Sequence, residues 1–391
     1  MTDRFEHKVV ISGVGQSEIG RRLGRDPVVL TAEACLRAIA DAGLAVTDID
    51  GLATYPGSTS PGPGFTGAGL RDVQMHLGIT TTWCEGGIET SGQLGAVVNA
   101  MLAVAGGAAN HVLVWRSLWE GSAQGTGGRK AYSVTDVADG LPAWQLPYGA
   151  TAVSLAALMV RARMHRYGLT REQLAWGPIV SRRHAGMNPS AVYRDPLSLE
   201  DYLSARMIST PMCLYDCDVP CDAATAVVVS RAEHASDLDH PAVAVEAISS
   251  TLDDRYQWEG GRDVTRMSSS AAGEIWERTD LRPADIDYAA LYDGFSVFTH
   301  CWLEDLGFCE VGEAGAFVEG GERISLGGEL PMNTDGGQLS GGRLHGYGFL
   351  HEACLQVRGE ATGRQVEGAQ TAAVGVGASN SGTTAMILRR A

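Results

Sequence analysis

Lysine is almost missing from this chain: of its 30 basic residues only Lys8 and Lys130 are lysines, a preference that codon bias explains. The shortage of positive charge as a whole says more. Thirty basic residues against 46 acidic ones leave a net charge of −16. A protein that binds nucleic acid regardless of sequence must replace counterions with a basic face, so no nucleic-acid partner is expected. An anionic membrane surface would repel the chain, and no apolar run reaches the roughly 18 residues that a transmembrane helix needs. The opening MTDRFEHKVVISGVG passes from charged residues straight into a β-branched run, without the apolar stretch and cleavage site of a secretion signal. A cytoplasmic location is expected. Cysteine pairs of the CxxC kind are also lacking. Cys213, Cys217 and Cys221 recur at spacings of four with no histidine beside them, so neither a metal site nor a disulfide framework is expected.

What is present is globular composition, 45% hydrophobic and 19% charged, over 391 residues, enough for two or three domains or one large duplicated one. Glycine is abundant, 50 residues, and concentrated around 336–348 and 374–382, which implies tight turns and close backbone approaches. Strand-like apolar runs at 9–15, 111–115, 225–230, 242–248 and 370–377 alternate with helical patterns such as 27–44. That alternation predicts an α/β fold with much parallel pairing.

The chain also repeats itself. LAVTDIDGLATY (44–55) aligns without gaps to LRPADIDYAALY (281–292), matching Leu44/Leu281, Asp48/Asp285, Ile49/Ile286, Asp50/Asp287, Ala53/Ala290 and Tyr55/Tyr292. The helical segments before them, 30–43 and 267–280, keep the same offset. Two α/β halves are expected, 1–116 with 211–237 and then 238–391, around an inserted loop subdomain at 117–210. Loops from both halves would meet at their junction.

These features resemble the thiolase fold, in its sterol-carrier and lipid-transfer branch, over essentially the whole chain. Four segments carry the resemblance: VVISGVGQSEIGRR (9–22), SGQLGAVVNAMLAVAGGAANHVLVW (91–115), LRPADIDYAALYDGFSVF (281–298) and NTDGGQLSGGRLHGYG (333–348). It implies two duplicated halves in a layered α-β-α-β-α arrangement. It does not carry thiolase chemistry with it. A thiolase needs a nucleophilic cysteine, a histidine that activates it and a second cysteine as acid and base. The nucleophile position falls on Thr90, with Ser91 next and Cys84 six residues upstream. The Gly-His-Pro motif aligns with Gly342-Arg343-Leu344, so its histidine has become Arg343, and His345 stands two positions late. The histidine before the Asp-x-Phe segment aligns with Tyr292, and the late cysteine motif corresponds to GVGASNSGTT, which holds Asn380 and no cysteine.

Tyr292 and Tyr347 thus stand where imidazoles or small residues belong, and both are expected to be catalytic. Tyr55, the repeat mate of Tyr292, is expected to be a core ring. Retro-Claisen cleavage requires a nucleophile, whereas retro-aldol cleavage of a β-hydroxyacyl thioester requires only a base, an acid and donors to the enolate oxygen. Thr90, Ser91, Arg343, His345 and Asn380 are weaker candidates for holding the thioester, together with backbone N–H groups around 89–92 and 378–382. A phenol acting as base needs positive charge nearby, and Arg343 is the candidate. The pattern, with GRRLGRDP (20–27), resembles the thiolase-like aldolases that shorten steroid side chains. It implies cleavage of a 17-hydroxy steroid C-20 carboxyl-CoA to a 17-ketosteroid and propionyl-CoA, with no cofactor beyond the coenzyme A of the substrate. It also implies a homodimer and a partner protein with an OB-fold domain. Two other readings stay open: a non-catalytic acyl-CoA or lipid-binding scaffold, and an acyltransferase using Cys84 or Ser91.

Overall fold

The computed structural model describes residues 4–57, 64–87, 92–124, 151–251, 263–267, 269–377 and 382–391. Along the chain run β1 (Val9–Gln16), α1 (Pro27–Asp41), β2 (Gly51–Thr54), α2 (Leu70–Leu77), β3 (Trp83–Gly86), α3 (Gly95–Ala105), β4 (His111–Trp119) and the short α4 (Glu120–Ala123). Next come α5 (Ala152–Tyr167), α6 (Arg171–Met187), α7 (Leu199–Ser204) and the small hairpin of β5 (Met207–Ser209) and β6 (Met212–Cys213). The rest is β7 (Asp222–Arg231), β8 (Val243–Thr251), α8 (Ser269–Ile275), β9 (Tyr288–Leu291), α9 (Ser296–Asp305), α10 (Ala314–Val318), α11 (Gly346–Arg358), β10 (Thr371–Gly377) and β11 (Thr383–Arg390).

The large sheet is ordered β3-β2-β4-β7-β1-β8-β11-β10-β9, with the two halves meeting at β1 and β8 through only Val10↔Ala244 and Ile11↔Val243. Pairing is mixed, with less of the expected parallel pairing than antiparallel. β2–β3, β2–β4 and β9–β10 are parallel, and the ladders from β4 through β7, β1, β8 and β11 to β10 are antiparallel. The sequence pattern could not distinguish these, because a strand buried on both faces reads as a continuous apolar run in either pairing. β7 is such a strand, buried from Asp222 through Ser230.

The repeated DID segments do the same job twice. Each makes a 3₁₀ turn, at Val46–Asp48 and Pro283–Asp285, then feeds a four-residue strand, β2 or β9. The two aspartates at the strand entries are used alike: Asp50 accepts from the N–H groups of Asn110 and His111, and Asp287 from those of Gln370 and Thr371. Each ties its strand to the start of the parallel neighbour.

Helices cover the sheet on both sides. The outer layer of the first half is α1, which lies directly on β1 because Gly13 and Gly15 have no side chain. A Cβ there would meet the carbonyl oxygens of Ala38 and Ala34 at 2.1 and 2.3 Å. On the inner side α11 packs on β9, β10 and β11 and also on β7 and β1, so it is shared by both halves. One ion pair passes between these layers. Asp41 of α1 accepts from the Val14 N–H freed by the β1 bulge and from buried Arg358 of α11, each at 2.7 Å. β4 continues to Trp119, past the expected edge of the insert at 116. No helix among the described residues is long and apolar enough to cross a membrane.

Candidate active site

Tyr292 leaves the end of β9 with its N–H on the Gly375 carbonyl at 2.8 Å. The preceding residue is gripped by an unusual support. Asn333, buried and at φ +49°, accepts from Leu291 N–H and donates to Leu291 C=O, both at 2.8 Å, so its amide imitates a neighbouring strand. The Tyr292 ring is nearly parallel to Phe298 at 5.9 Å and edge-on to Phe349 of α11 at 6.0 Å. Gly294 is obligatory here, since a Cβ would lie 2.6 Å from the Tyr292 hydroxyl oxygen. Asp293 between them is wholly buried, with Gln338 N–H donating at 2.7 Å, and burial pushes its carboxyl well above the ordinary range.

The glycine-rich segment wraps around that carboxylate as a π-helical turn over Gly337–Gly341. Gly337 sits at φ +55°, and its Cβ would fall 2.1 Å from an Asp293 oxygen. Gln338 then reaches His345, whose N–H donates to Gln338 Oε1 at 3.0 Å. His345 is at φ +54° and buried, the cap from which α11 begins. Arg116 Nε donates to His345 Nδ1 at 3.1 Å. An arginine is always a donor, so the imidazole proton sits on Nε2.

Tyr347 follows in the first turn of α11. Its flanking glycines have packing reasons: Gly346 lies against Gln93 and Leu94 at the start of α3, and Gly348 against Leu344. The ring is fully buried and its hydroxyl has no hydrogen-bond partner among the described residues. Burial pushes the phenol up, Arg116 pulls it part of the way back, and Glu85 adds to the rise. Arg116 is itself buried, donating to the carbonyls of Ser117 and Phe65 at 2.6 Å each, with its guanidinium 4.6 Å from the Phe65 ring and 5.0 Å from the Tyr55 ring. Three further buried side-chain atoms in this region lack a partner among the described residues: Glu85 Oε2, Gln93 Oε1 and Gln338 Nε2. Such groups are costly unless something else satisfies them.

The expected residues fall into distinct places. Tyr292 lies at the end of β9 against Phe349 of α11, whereas Tyr347 belongs to the first turn of α11 itself, toward Arg116 of β4. No hydrogen bond joins the two phenols; the chain Asp293–Gln338–His345–Arg116 runs between them. Arg343 directs its charge elsewhere, to Glu120 at 3.0 Å and Asp218 at 3.0 Å. The cation acting on Tyr347 is Arg116 instead. Cys84 is exposed on β3 beside Leu52, which faces the α1 and α2 layer, so it points away from Tyr347. Tyr55 is buried as expected, yet its ring belongs to the Arg116 and His345 cluster rather than to inert core. Thr90, Ser91 and Asn380 lie outside the described residues. Their flanks meet: a Cβ on Gly92 would lie 3.1 Å from Thr384 Oγ1 and 3.2 Å from the Gly382 carbonyl. Cys213 and Cys221 are buried free thiols, Cys217 is half-buried, and no group of metal-binding side chains occurs among the described residues.

Arg116, Glu85 and Gln338 are the functional candidates that sequence reasoning missed. A single arginine inside HVLVWRSLW is a legible signal, since a lone charge in a buried strand demands dedicated partners. Glu85 is legible only once the register of β3 is known.

Duplicated halves that share a buried helix, with no cysteine among the residues around Tyr292 and Tyr347 described above, have the layout of a thiolase-type scaffold. The family model described as thiolase C-terminal domain-like matches residues 252–390. The chain is 35% identical over 359 residues to a steroid side-chain-cleaving aldolase of Thermomonospora curvata, covering 89% of this chain and 90% of that protein. It is 34% identical to the 17-hydroxy-3-oxo-4-pregnene-20-carboxyl-CoA lyase of Mycobacterium tuberculosis, covering 90% of this chain and 92% of that one. A solved structure, the Ltp2-ChsH2(DUF35) aldolase, superposes with a TM-score of 0.87 at 32% identity, over 98% of both chains. The chain belongs to the thiolase superfamily, among its steroid side-chain-cleaving aldolases. It is an enzyme, a carbon–carbon lyase of the aldolase type.

Proposed function

We propose that this aldolase cleaves a 17-hydroxy steroid C-20 carboxyl-CoA to a 17-ketosteroid and propionyl-CoA, by retro-aldol chemistry without an acyl-enzyme. The hydroxyl proton leaves, the carbon–carbon bond breaks to the ketone, and its electron pair remains as the thioester enolate, which is then protonated. Tyr292 and Tyr347 carry the proton transfers. Buried donors near them, Gln338 Nε2 first, hold the enolate oxygen where charge develops. Thr90, Ser91, Asn380 and His345 contribute to thioester binding. No cofactor takes part beyond the coenzyme A that the substrate carries.

The observation that carries this reading is the wholly buried Tyr347 hydroxyl, without a partner among the described residues and set in the first turn of α11 next to Arg116. A scaffold that merely binds lipid has no use for such a group. The exposed, outward-facing Cys84 counts against an acyltransferase built on that thiol. The reading extends to assembly: a homodimer, and a partner with an OB-fold domain; the name of the solved Ltp2-ChsH2(DUF35) aldolase supports a partner protein. It also takes the chain as cytoplasmic, with halves 1–116 plus 211–237 and 238–391 around an insert at 117–210. Incubation with the 17-hydroxy steroid thioester, with and without a purified OB-fold partner, should release ketosteroid and propionyl-CoA in equal amounts. Binding without turnover in both arms would favour the scaffold.

A further inference from the structure

We infer that Arg116 is a positioning residue for the cleavage: it holds His345 in the one tautomer that offers the thioester oxygen an N–H donor. The inference rests on the aldolase reading and gives His345 a definite part in thioester binding. The first observation is backbone strain. In the segment 336–348 the residues at positive φ are Gly336, Gly337, Gly342 and, at +54°, His345. A side chain in such a conformation costs about 1–3 kcal/mol and persists only where its surroundings over-determine it. Here they do. The His345 N–H donates to Gln338 Oε1 at 3.0 Å, and the ring lies 5.1 Å from Phe65 and 6.3 Å from Tyr55. Glycine would satisfy the same backbone without that cost, so the turn itself does not explain the imidazole.

The second observation is how firmly Arg116 is set against that ring. It is buried in β4 and donates through Nε to His345 Nδ1 at 3.1 Å, while its two terminal nitrogens donate to the carbonyls of Ser117 and Phe65 at 2.6 Å each. The rings of Phe65 and Tyr55, at 4.6 and 5.0 Å, confine the guanidinium from the sides. A guanidinium has donors and no acceptor, so Nδ1 is the accepting nitrogen. The single proton of a neutral imidazole is left on Nε2. A second proton, on Nδ1, would break the bond and set two cations against each other. Arg116 thus makes the ring a neutral donor.

Such a donor has a use in this reaction. As the carbon–carbon bond breaks, its electron pair becomes an enolate and negative charge grows on the thioester oxygen. Two linked residues present N–H groups. The bond from the His345 N–H fixes Gln338 Oε1, which leaves Gln338 Nε2 buried and without a partner among the described residues. His345 adds its own Nε2–H. Donors held in place beforehand need no reorganisation when the charge appears. A neutral imidazole also polarises an oxygen without giving up its proton, which leaves the proton transfers to Tyr292 and Tyr347.

Nitrogen NMR on protein labelled with ¹⁵N-histidine reads the tautomer directly, the signals lost in His345→Gln identifying the ring. The wild type should show a protonated Nε2 and an unprotonated Nδ1. Arg116→Gln presents Nδ1 with an acceptor as well as a donor, so the proton should pass in part to Nδ1. With the OB-fold partner saturating, kcat of Arg116→Gln should fall about 10²–10³-fold, the usual worth of one oxyanion donor, with KM changed less. His345→Gln keeps an amide N–H close to the place of Nε2 and has no tautomer to fix. In that background Arg116→Gln should cost less than about tenfold, because the two residues act as a unit. An equal cost in both backgrounds would show that Arg116 acts elsewhere and overturn the inference. A wild-type ring protonated on Nδ1 would overturn it even if Arg116→Gln fails to fold. Absence of cleavage by the wild type would overturn the aldolase reading, and with it the use of the donor, while the tautomer would still report on Arg116.

Discussion

Tyr347→Phe should make the protein more stable and far less active. The substitution removes one oxygen from a ring that is fully buried and whose hydroxyl has no hydrogen-bond partner among the described residues. Leaving a buried donor unsatisfied costs about 1–3 kcal/mol, and the phenylalanine variant recovers that amount. For 391 residues at about 2.1 cal/mol/K each, the unfolding entropy is about 0.8 kcal/mol/K, so the gain should raise Tm by about 1–4 °C. If the same hydroxyl moves a proton, cleavage should slow by about 10²–10⁴-fold. Tyr202→Phe is the matched control. Its hydroxyl donates to buried Asp216 at 2.6 Å, so its loss should lower Tm by a comparable margin. Thermal melts and product release measured on the same preparations read both effects. A destabilised Tyr347→Phe, or one that cleaves at the wild-type rate, would refute the assignment.

Cys84→Ala should cleave within about tenfold of wild type, a barrier change of about 1.4 kcal/mol, and intact mass should show no acyl adduct on either protein. Loss of several orders of magnitude in Cys84→Ala would restore the acyltransferase. Arg343→Met deprives Glu120 and Asp218 of their shared cation and should cost about 3–5 kcal/mol by chemical denaturation. Because Arg343 does not act on Tyr347, the pH profile of the folded fraction should be unchanged. Burial, with Arg163 adding to it, pushes the His300 imidazole down to about 3, so the native state keeps it neutral. Its contribution is complete above the unfolded value of about 6.5 and is lost as pH falls from there toward 3, by about 2 kcal/mol at pH 5. His300→Gln should flatten that acid decline in denaturant titrations; an equally steep decline would show that other groups govern it.

Much of the fold was legible from local pattern. The repeated DID segments announced two equivalent strand entries, and the structure uses Asp50 and Asp287 in the same way in both halves. The run 9–15 was legible as a strand, and its glycines prove to admit the close approach of α1. The direction of pairing was not legible, because β7 is buried on both faces and looks the same in either ladder. In the site, Tyr347 was visible as a large ring between two glycines, and Tyr292 because it aligns with a histidine position of the resembled family. The cation was misplaced for a different reason. Arg343 and Arg116 are equally plausible in sequence, and only tertiary packing commits Arg343 to Glu120 and Asp218 while bringing Arg116 beside Tyr347. Glu85 was hidden by its neighbour: Cys84 has the more reactive side chain, and period-two alternation along β3 turns it to the wrong face.

The central claim is carbon–carbon cleavage through a thioester enolate with no acyl-enzyme, and one mass spectrum of the products tests it. The reaction is run in D₂O with the OB-fold partner and without free coenzyme A, then quenched. The account predicts an equimolar ketosteroid with no new carbon-bound deuterium and a propionyl-CoA carrying one solvent-derived deuterium at its α-carbon. A requirement for added coenzyme A, or release of two thioesters in place of a ketone and one thioester, would contradict it.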